Sequence, residues 1–436
     1  MKKAKTRVWS VAALAVAATA LPVGVAAAAD AKVELSVAGW WNIRGFDALV
    51  QRFESEHPGV TVTKVGSNNG PYNDPLIAMA AGGTSPDVVW TNYGNVPATA
   101  PAGVLAPLDE RLKLAGFDIA RDSFAPAWKQ MSYAGVIYAA PLFMASSGVS
   151  YNKTMFGQAG LSDPAAGWTW NDMIADSDKM LKQDASGKTT QWGFTTDGWS
   201  LTSGKGVAPF LWANGGDIID SAGHFALDRP ESLQAMRWFV DVTLNHPSVY
   251  SPAENKTLDF WKAFPAGSIG MWSTASSNNS LLIEQVSAKR AFDWDVAPLP
   301  VDPNTDQVAT YVQTDGIGIG KYAKHPELAW AFVQLTMSPW FQQSVITGQF
   351  GLIPIRRDSI SSYVGGTFPP PHKQVFVDAL AGARDFNHLA DLTADGKLYD
   401  LVHDEWNDYV MTNQEDVGTF VAKMKQATAT LVTAGK

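Results

Sequence analysis

Between Val33 and Trp90 the chain twice leaves a period-two apolar run for a helical one and returns, which leaves few folds open. "VELSV" (Val33 to Val37) and "VTVTKV" (Val60 to Val65) alternate apolar and polar side chains, the signature of half-buried strands. Between them Phe46, Leu49, Val50 and Phe53 recur at i, i+3, i+4 and i+7, an amphipathic helix that ends at His57-Pro58-Gly59. "NDPLIAMAAGG" reads as a second helix stopped by Gly82-Gly83, and "PDVVW" as a short buried strand. Such βαβαβ alternation implies a parallel sheet with helices on both faces. Ligands of open α/β sheets bind outside the carboxyl ends of the strands. Trp40 and Trp41 stand at the first predicted exit, the Asn68-Asn69 turn follows the second, and Trp90 closes the third. These tryptophans are expected either to face a crevice or to cap the core at the end of the sheet.

Further along, "GVIYAAPLFMASSGVSYNK" (Gly135 to Lys153) reads as a pair of extended segments. Helices follow: one from the Trp168–Asp172 turn, with Thr169 or Asn171 as N-cap, one in "APFLWANGGDIID", and one in "RPESLQAMRWFVDVTLN" with Pro230 at its start. "AGSIGMWS" is read as a strand ending at Trp272, "FDWDVAPLP" as extended, "DGIGIGK" as alternating, and "HPELAWAFVQLTMS" as an amphipathic helix. From Pro339 the chain reads as mostly helical, with a loop around Pro369-Pro370-Pro371.

Residues 1–29 carry a basic head (Lys2, Lys3, Lys5, Arg7), an alanine- and valine-rich run, and Ala27-Ala28-Ala29 ahead of Asp30. This is the order of parts in a cleaved secretory signal, and the apolar run is too short for a stable anchor. With no cysteine there is neither a disulfide framework nor a thiol for lipid attachment, and residues 30–436 are long enough for two domains without staples. Retention of a free exported protein favours a periplasm. The net charge, −9 for the whole chain, becomes −13 once the four basic residues of the leader are removed, which disfavours nucleic acid and anionic lipid as partners. Seventeen tryptophans stand out in a chain only 17% charged; a large core absorbs some, and the others are expected to line a surface that a ligand covers.

Catalytic signatures are missing or fail their context. His403-Asp404-Glu405 has no second histidine four residues on, and His57, His246 and His325 precede prolines in turn or cap settings. No Gly-x-Ser-x-Gly elbow occurs, and Gly187-Lys188-Thr189 lacks the first glycine of a phosphate loop. Gly318, Gly320 and Ala323 have dinucleotide-fingerprint spacing but lie on an alternating strand. Asp391, Thr393, Asp395 and Gly396 start like a calcium loop whose twelfth position is Val402. The enzymatic option that survives is a glycosidase-type carboxylate pair, Asp293 and Asp295, on one face of an extended segment. No cofactor and no metal are expected.

The order of segments resembles the family 1 extracellular solute-binding proteins, the sugar-capturing components of ABC importers. "FDALVQRFESEHPGVTVTKV", "AAGGTSPDVVW", "GVIYAAPLFMASSGVSYNKTMFGQAGL", "WTWNDM", "FDWDVAPLP", "DGIGIGKYAKHPELAWAFVQL" and "GLIPIRR" carry the resemblance across nearly all of residues 30–436, and their order makes it specific. The departures are the absent anchor cysteine and the Trp40-Trp41 pair. The resemblance implies a type II periplasmic-binding-protein fold: two α/β lobes, each with a mainly parallel sheet flanked by helices, joined by crossing strands. The N-lobe would be 30–145 plus 299–338 and the C-lobe 146–298 plus 339–436, with crossings near Ala145, Pro298 and Pro339. A ligand would lie between lobes that close by hinge motion. Closure would be read by the membrane permease, with no chemistry, and the protein would act as a monomer.

Carried over position by position, the family's binding residues fall on Trp272 and Trp406, with Tyr151 just past the hinge. On the N-lobe they fall on Trp40, Trp41, Asn42, Asn68, Asn69, Trp90, Asn92 and Tyr93, with Asp315 where the second crossing re-enters. Arg44 and Arg356 could pair with an acidic sugar or lie on the surface. The chemistry suits a saccharide: flat aromatic rings cover the C–H face of a pyranose while Asp, Asn and Arg satisfy its hydroxyls. The leading expectation is therefore a periplasmic carbohydrate-binding protein. The same fold holding a polyol, glycerophosphodiester or polyamine, and a secreted glycoside-active enzyme, are the competing ones.

Overall fold

A computed structural model describes residues 32–39, 46–66, 72–252, 259–348, 351–384, 397–412 and 416–434. The expected leader and the calcium-like stretch at Asp391 lie outside the described residues. The strands among the described residues are β1 (Val33–Ala38), β2 (Val60–Val65), β3 (Val88–Asn92), β4 (Ser132–Tyr133), β5 (Val136–Ile137), β6 (Ala140–Asn152), β7 (Lys182–Gln183), β8 (Thr189–Thr196), β9 (Ile269–Ala275), β10 (Trp294–Ala297), β11 (Thr310–Ile319) and β12 (Ala383–Arg384). Eight of them form one path in the order β2-β1-β3-β11-β6-β9-β8-β7, while β10 pairs with β6 and β12 with β11.

The βαβαβ reading of the first segment holds. β1 runs parallel to β2 and β3, with Val33 opposite Val60 and Val37 opposite Val88. The helix Phe46–Glu56 buries Phe46, Leu49 and Phe53, the positions its 3.6 period selects. In the second half β8 and β9 are again parallel. Among the named strands, antiparallel pairing is confined to partners of the long strands β6 and β11 and to the two-residue strands. β6 is buried along its whole length. It changes neighbour in mid-course: Ser146 faces Val312 of β11, and the next residue, Ser147, faces Ala275 of β9.

Two boundaries differ from the sequence reading. Trp90 is the third residue of five in β3 and Trp272 the fourth of seven in β9, so neither stands at a strand exit. Both strands run past the tryptophan: Thr91 and Asn92 pair with Gly316 and Asp315, and Ser273 pairs with Val149. A strand buried on both faces loses the alternation on which a boundary reading depends.

The glycines of "DGIGIGK" have a packing reason. A Cβ on Gly316 would lie 2.2 Å from the Met131 sulfur, and one on Gly318 would lie 2.5 Å from the Tyr138 carbonyl oxygen. Close approach of neighbouring elements to β11 excludes side chains there, and nucleotide binding need not be invoked. Two large apolar cores result. One packs Leu35, Phe46, Trp90, Phe143, Ile317 and Phe332, and the other packs Tyr151, Trp170, Phe210, Phe239, Trp406 and Phe420. Among the described residues no helix is long and apolar enough to cross a membrane.

Candidate functional site

β11 brings the two halves together, and a polar cluster has formed on it. Asp315 is buried there, opposite Asn92 of β3. Its Oδ2 accepts the Trp90 indole N–H at 3.0 Å, and its Oδ1 accepts from Gln313 Nε2 at 3.2 Å. Both donors are neutral. Burial dominates and pushes the carboxyl up to about 6, although the two hydrogen bonds and the positive charge of Lys205 pull the other way. The Tyr72 hydroxyl donates to the Trp90 carbonyl at 2.5 Å, and burial, assisted by the Asp315 charge, raises its phenol well above the ordinary value.

Lys205 belongs to the loop Asp197–Gly206, which leaves the carboxyl end of β8. The loop is tied down at several points. The Asp197 amide donates to the Ser273 carbonyl at 2.8 Å, and its Oδ2 accepts from Thr274 Oγ1 at 3.1 Å and Asn278 Nδ2 at 2.7 Å. Ser147 Oγ, on the residue where β6 changes neighbour, donates to the Gly204 carbonyl at 3.1 Å. A Cβ on Gly204 would sit 2.3 Å from the Tyr311 ring, so the backbone rests directly on a side chain of β11. From the other side Tyr93 meets Tyr311 edge-on, ring centroids 5.6 Å apart, while its own amide donates to the Thr314 carbonyl at 3.0 Å. Tyr93, Tyr311 and the Gly204-Lys205 segment thus meet where the halves adjoin.

Of the residues expected from sequence, Trp90, Tyr93 and Asp315 come together in this cluster. Asn92 is adjacent, and its Oδ1 accepts from the Gly94 and Asn95 amides at 3.0 and 3.1 Å, shaping the turn after β3. Trp40, Trp41, Asn42, Arg44, Asn68 and Asn69 lie outside the described residues. The others are placed elsewhere. Tyr151 is buried edge-on to Phe156, and burial raises its phenol. Trp272 is fully buried among Phe260, Trp261 and Phe264, and its indole N–H has no hydrogen-bond partner among the described residues. Trp406, in the helix Lys397–Thr412, donates to the Trp199 carbonyl at 2.6 Å, so it backs the loop that carries Lys205. Arg356 folds onto Asp358 through two hydrogen bonds of 2.9 and 2.5 Å.

The carboxylate pair considered for catalysis is divided. Asp293 is exposed, whereas Asp295 is buried with both oxygens engaged: Oδ1 accepts the His372 and Val296 amides at 3.0 and 2.9 Å, and Oδ2 meets His372 Nδ1 at 2.6 Å.

Sequence reasoning missed Tyr72, Lys205, Tyr311 and Gln313. The rule that placed ligands beyond strand carboxyl ends would also have marked the glycine-rich "DGWSLTSGKG" after β8, had it been applied to the second half.

The family model described as "Bacterial extracellular solute-binding protein" matches residues 40–339. A binding protein of Brucella abortus (strain 2308) is 25% identical over 342 residues, covering 77% of this chain and 79% of that one. The fold matches the ABC substrate-binding protein Lmo0181 of Listeria monocytogenes, solved in complex with cycloalternan, with a TM-score of 0.77 at 22% identity over 91% of this chain and 98% of that one. It also matches maltose-bound MalE3 of T. maritima, with a TM-score of 0.74 at 18% identity over 92% of this chain and all of that one.

Proposed function

The chain belongs to the bacterial extracellular solute-binding proteins, and on that premise we propose that it captures a mono- or oligosaccharide between two lobes and delivers it to an ABC importer. β6 and β11, whose pairing partners lie in both halves, serve as the hinge between the lobes. The protein works in a periplasm as a monomer, meets the membrane permease after closure, and leaves its ligand chemically unchanged.

The observation that carries this reading is Asp315, a buried carboxylate on a strand shared by both halves and held by two neutral donors. An ionised carboxylate has about four acceptor sites, and the described residues use two of them, which leaves room for a ligand hydroxyl. Tyr93 supplies an aromatic surface nearby, and the positive charge of Lys205, in the opposite half, acts on the carboxylate. By their sequence positions after β1 and β2, Trp40, Trp41, Asn42, Asn68 and Asn69 are further candidate ligand residues. The similar structures bound to cycloalternan and to maltose point the same way.

Titration of tryptophan fluorescence with a sugar panel, paired with small-angle scattering, tests the proposal. A saturating emission change with compaction is expected for one or a few saccharides. In Asp315→Asn the affinity falls by about tenfold or more, the scale of a hydrogen bond to a charged group. No response to any saccharide, or hydrolysis of the added sugar, contradicts the assignment.

A further inference from the structure

A recess lies away from the Asp315 cluster. Along β10 a groove of about 830 Å³ is bounded by Lys153, Arg290, Phe292, Asp293, Trp294 and His372, none of which belongs to the site above. Its volume falls in the range of about 300–1,000 Å³ that small-molecule sites occupy. Three features give it a chemical character.

Arg290 is exposed, and its side chain takes part in no ion pair or hydrogen bond among the described residues. Its backbone φ is +51°, a left-handed conformation that costs a non-glycine residue free energy and that recurs at ligand clamps. His372 is anchored by Nδ1 and its backbone amide to Asp295, which leaves the remainder of a ring 71% exposed facing outward. Lys153 holds its place through its amide on the Asp293 carbonyl at 2.8 Å and its ammonium on Asp163 at 2.5 Å. Phe292, Trp294, Pro369 and Pro371 supply apolar wall.

We infer that this groove is a second binding site, for a small hydroxylated organic anion, with its carboxylate or phosphate on Arg290. The guanidinium fork matches either group in a bidentate manner, and Lys153 adds a donor within the same recess, which the exposed His372 ring also lines. Asp293, exposed on the rim and not paired with Arg290, repels a polyanion and accepts a ligand hydroxyl, which favours a monoanion. The site stands independently of the carbohydrate reading, since it shares no residue with the Asp315 cluster.

Isothermal titration of the full mature protein with lactate and with inorganic phosphate separates the two anion types. Saturable binding of at least one is expected, weakened about tenfold in Arg290→Asn, which removes the charge while tolerating the left-handed backbone. Lys153→Gln weakens it less. The saccharide response of Arg290→Asn stays as in the wild type, so a failure here is distinguishable from a failure at the interlobe cluster. Non-saturating heats with both anions, or a binding constant indifferent to Arg290→Asn, overturns the inference.

Discussion

Asp315 and Asp295 are both buried, and both lie on strands that pair antiparallel with β6, yet their surroundings differ. Asp295 meets two backbone amides and a histidine ring, and it fastens the segment around His372 to the otherwise open edge of β10. An edge strand needs such cover, because its unpaired groups invite another chain. Among the described residues Asp315 has two donors, both neutral, and burial raises its pKa. A satisfied carboxylate secures structure. One at a junction between halves with fewer partners among the described residues is the proposed ligand contact, and its burial carries a desolvation cost.

Three measurements press on this contrast. Asp295→Ala should show the largest effect, a loss on the order of 4 kcal/mol in urea unfolding, because the Val296 and His372 amides lose their acceptor and a cavity opens. If it proves neutral, the structural role assigned to Asp295 is wrong.

The second is a pH dependence belonging to Asp315. Its folded pKa, about 6, lies above its ordinary 3.8, so between these values the native state holds a proton that the unfolded state has lost. Its contribution is therefore fully present below about pH 4 and is lost as the pH rises through 6, by at most about 3 kcal/mol. Asp315→Asn should flatten this part of the stability profile. Saccharide affinity should change in the opposite sense, strengthening above pH 6, where the ionised acceptor prevails. Identical profiles in wild type and variant would mean that Asp315 is not the buried titrating group.

The smallest effect concerns Trp272, which repeats the contrast with an indole. Trp90 and Trp406 have acceptors for their N–H groups, whereas Trp272 is wholly buried without one among the described residues. Trp272→Phe, which removes the N–H along with some ring volume, should cost less than about 1.5 kcal/mol. If affinity for the saccharide also falls, the indole reaches the ligand; unchanged affinity confines its role to the core.

The order of strands and helices was legible in the sequence from Val33 to Trp90, as was the helical face of Phe46, Leu49 and Phe53, because side-chain period reports which face is buried. The candidate site was legible in part. Tyr93 and Asp315 were marked by their places after predicted strands or crossings, whereas Lys205 and Tyr72 carry no local pattern that distinguishes them from surface residues. Trp272 and Trp406 were marked as aromatic walls, and the chain alone could not show that their rings are buried in packing groups of their own.

The sequence by itself determined the alternation of elements, the acidic and cysteine-free character of the chain, and a likeness of segment order sufficient to indicate the family. Tertiary structure alone decided which buried polar groups are satisfied. The Trp90 indole finds its acceptor 225 residues away, and Trp406 finds its own at a separation of 207. Local propensity reaches only a few residues along the chain, while hydrogen bonding and desolvation depend on what folding brings within about 3 Å.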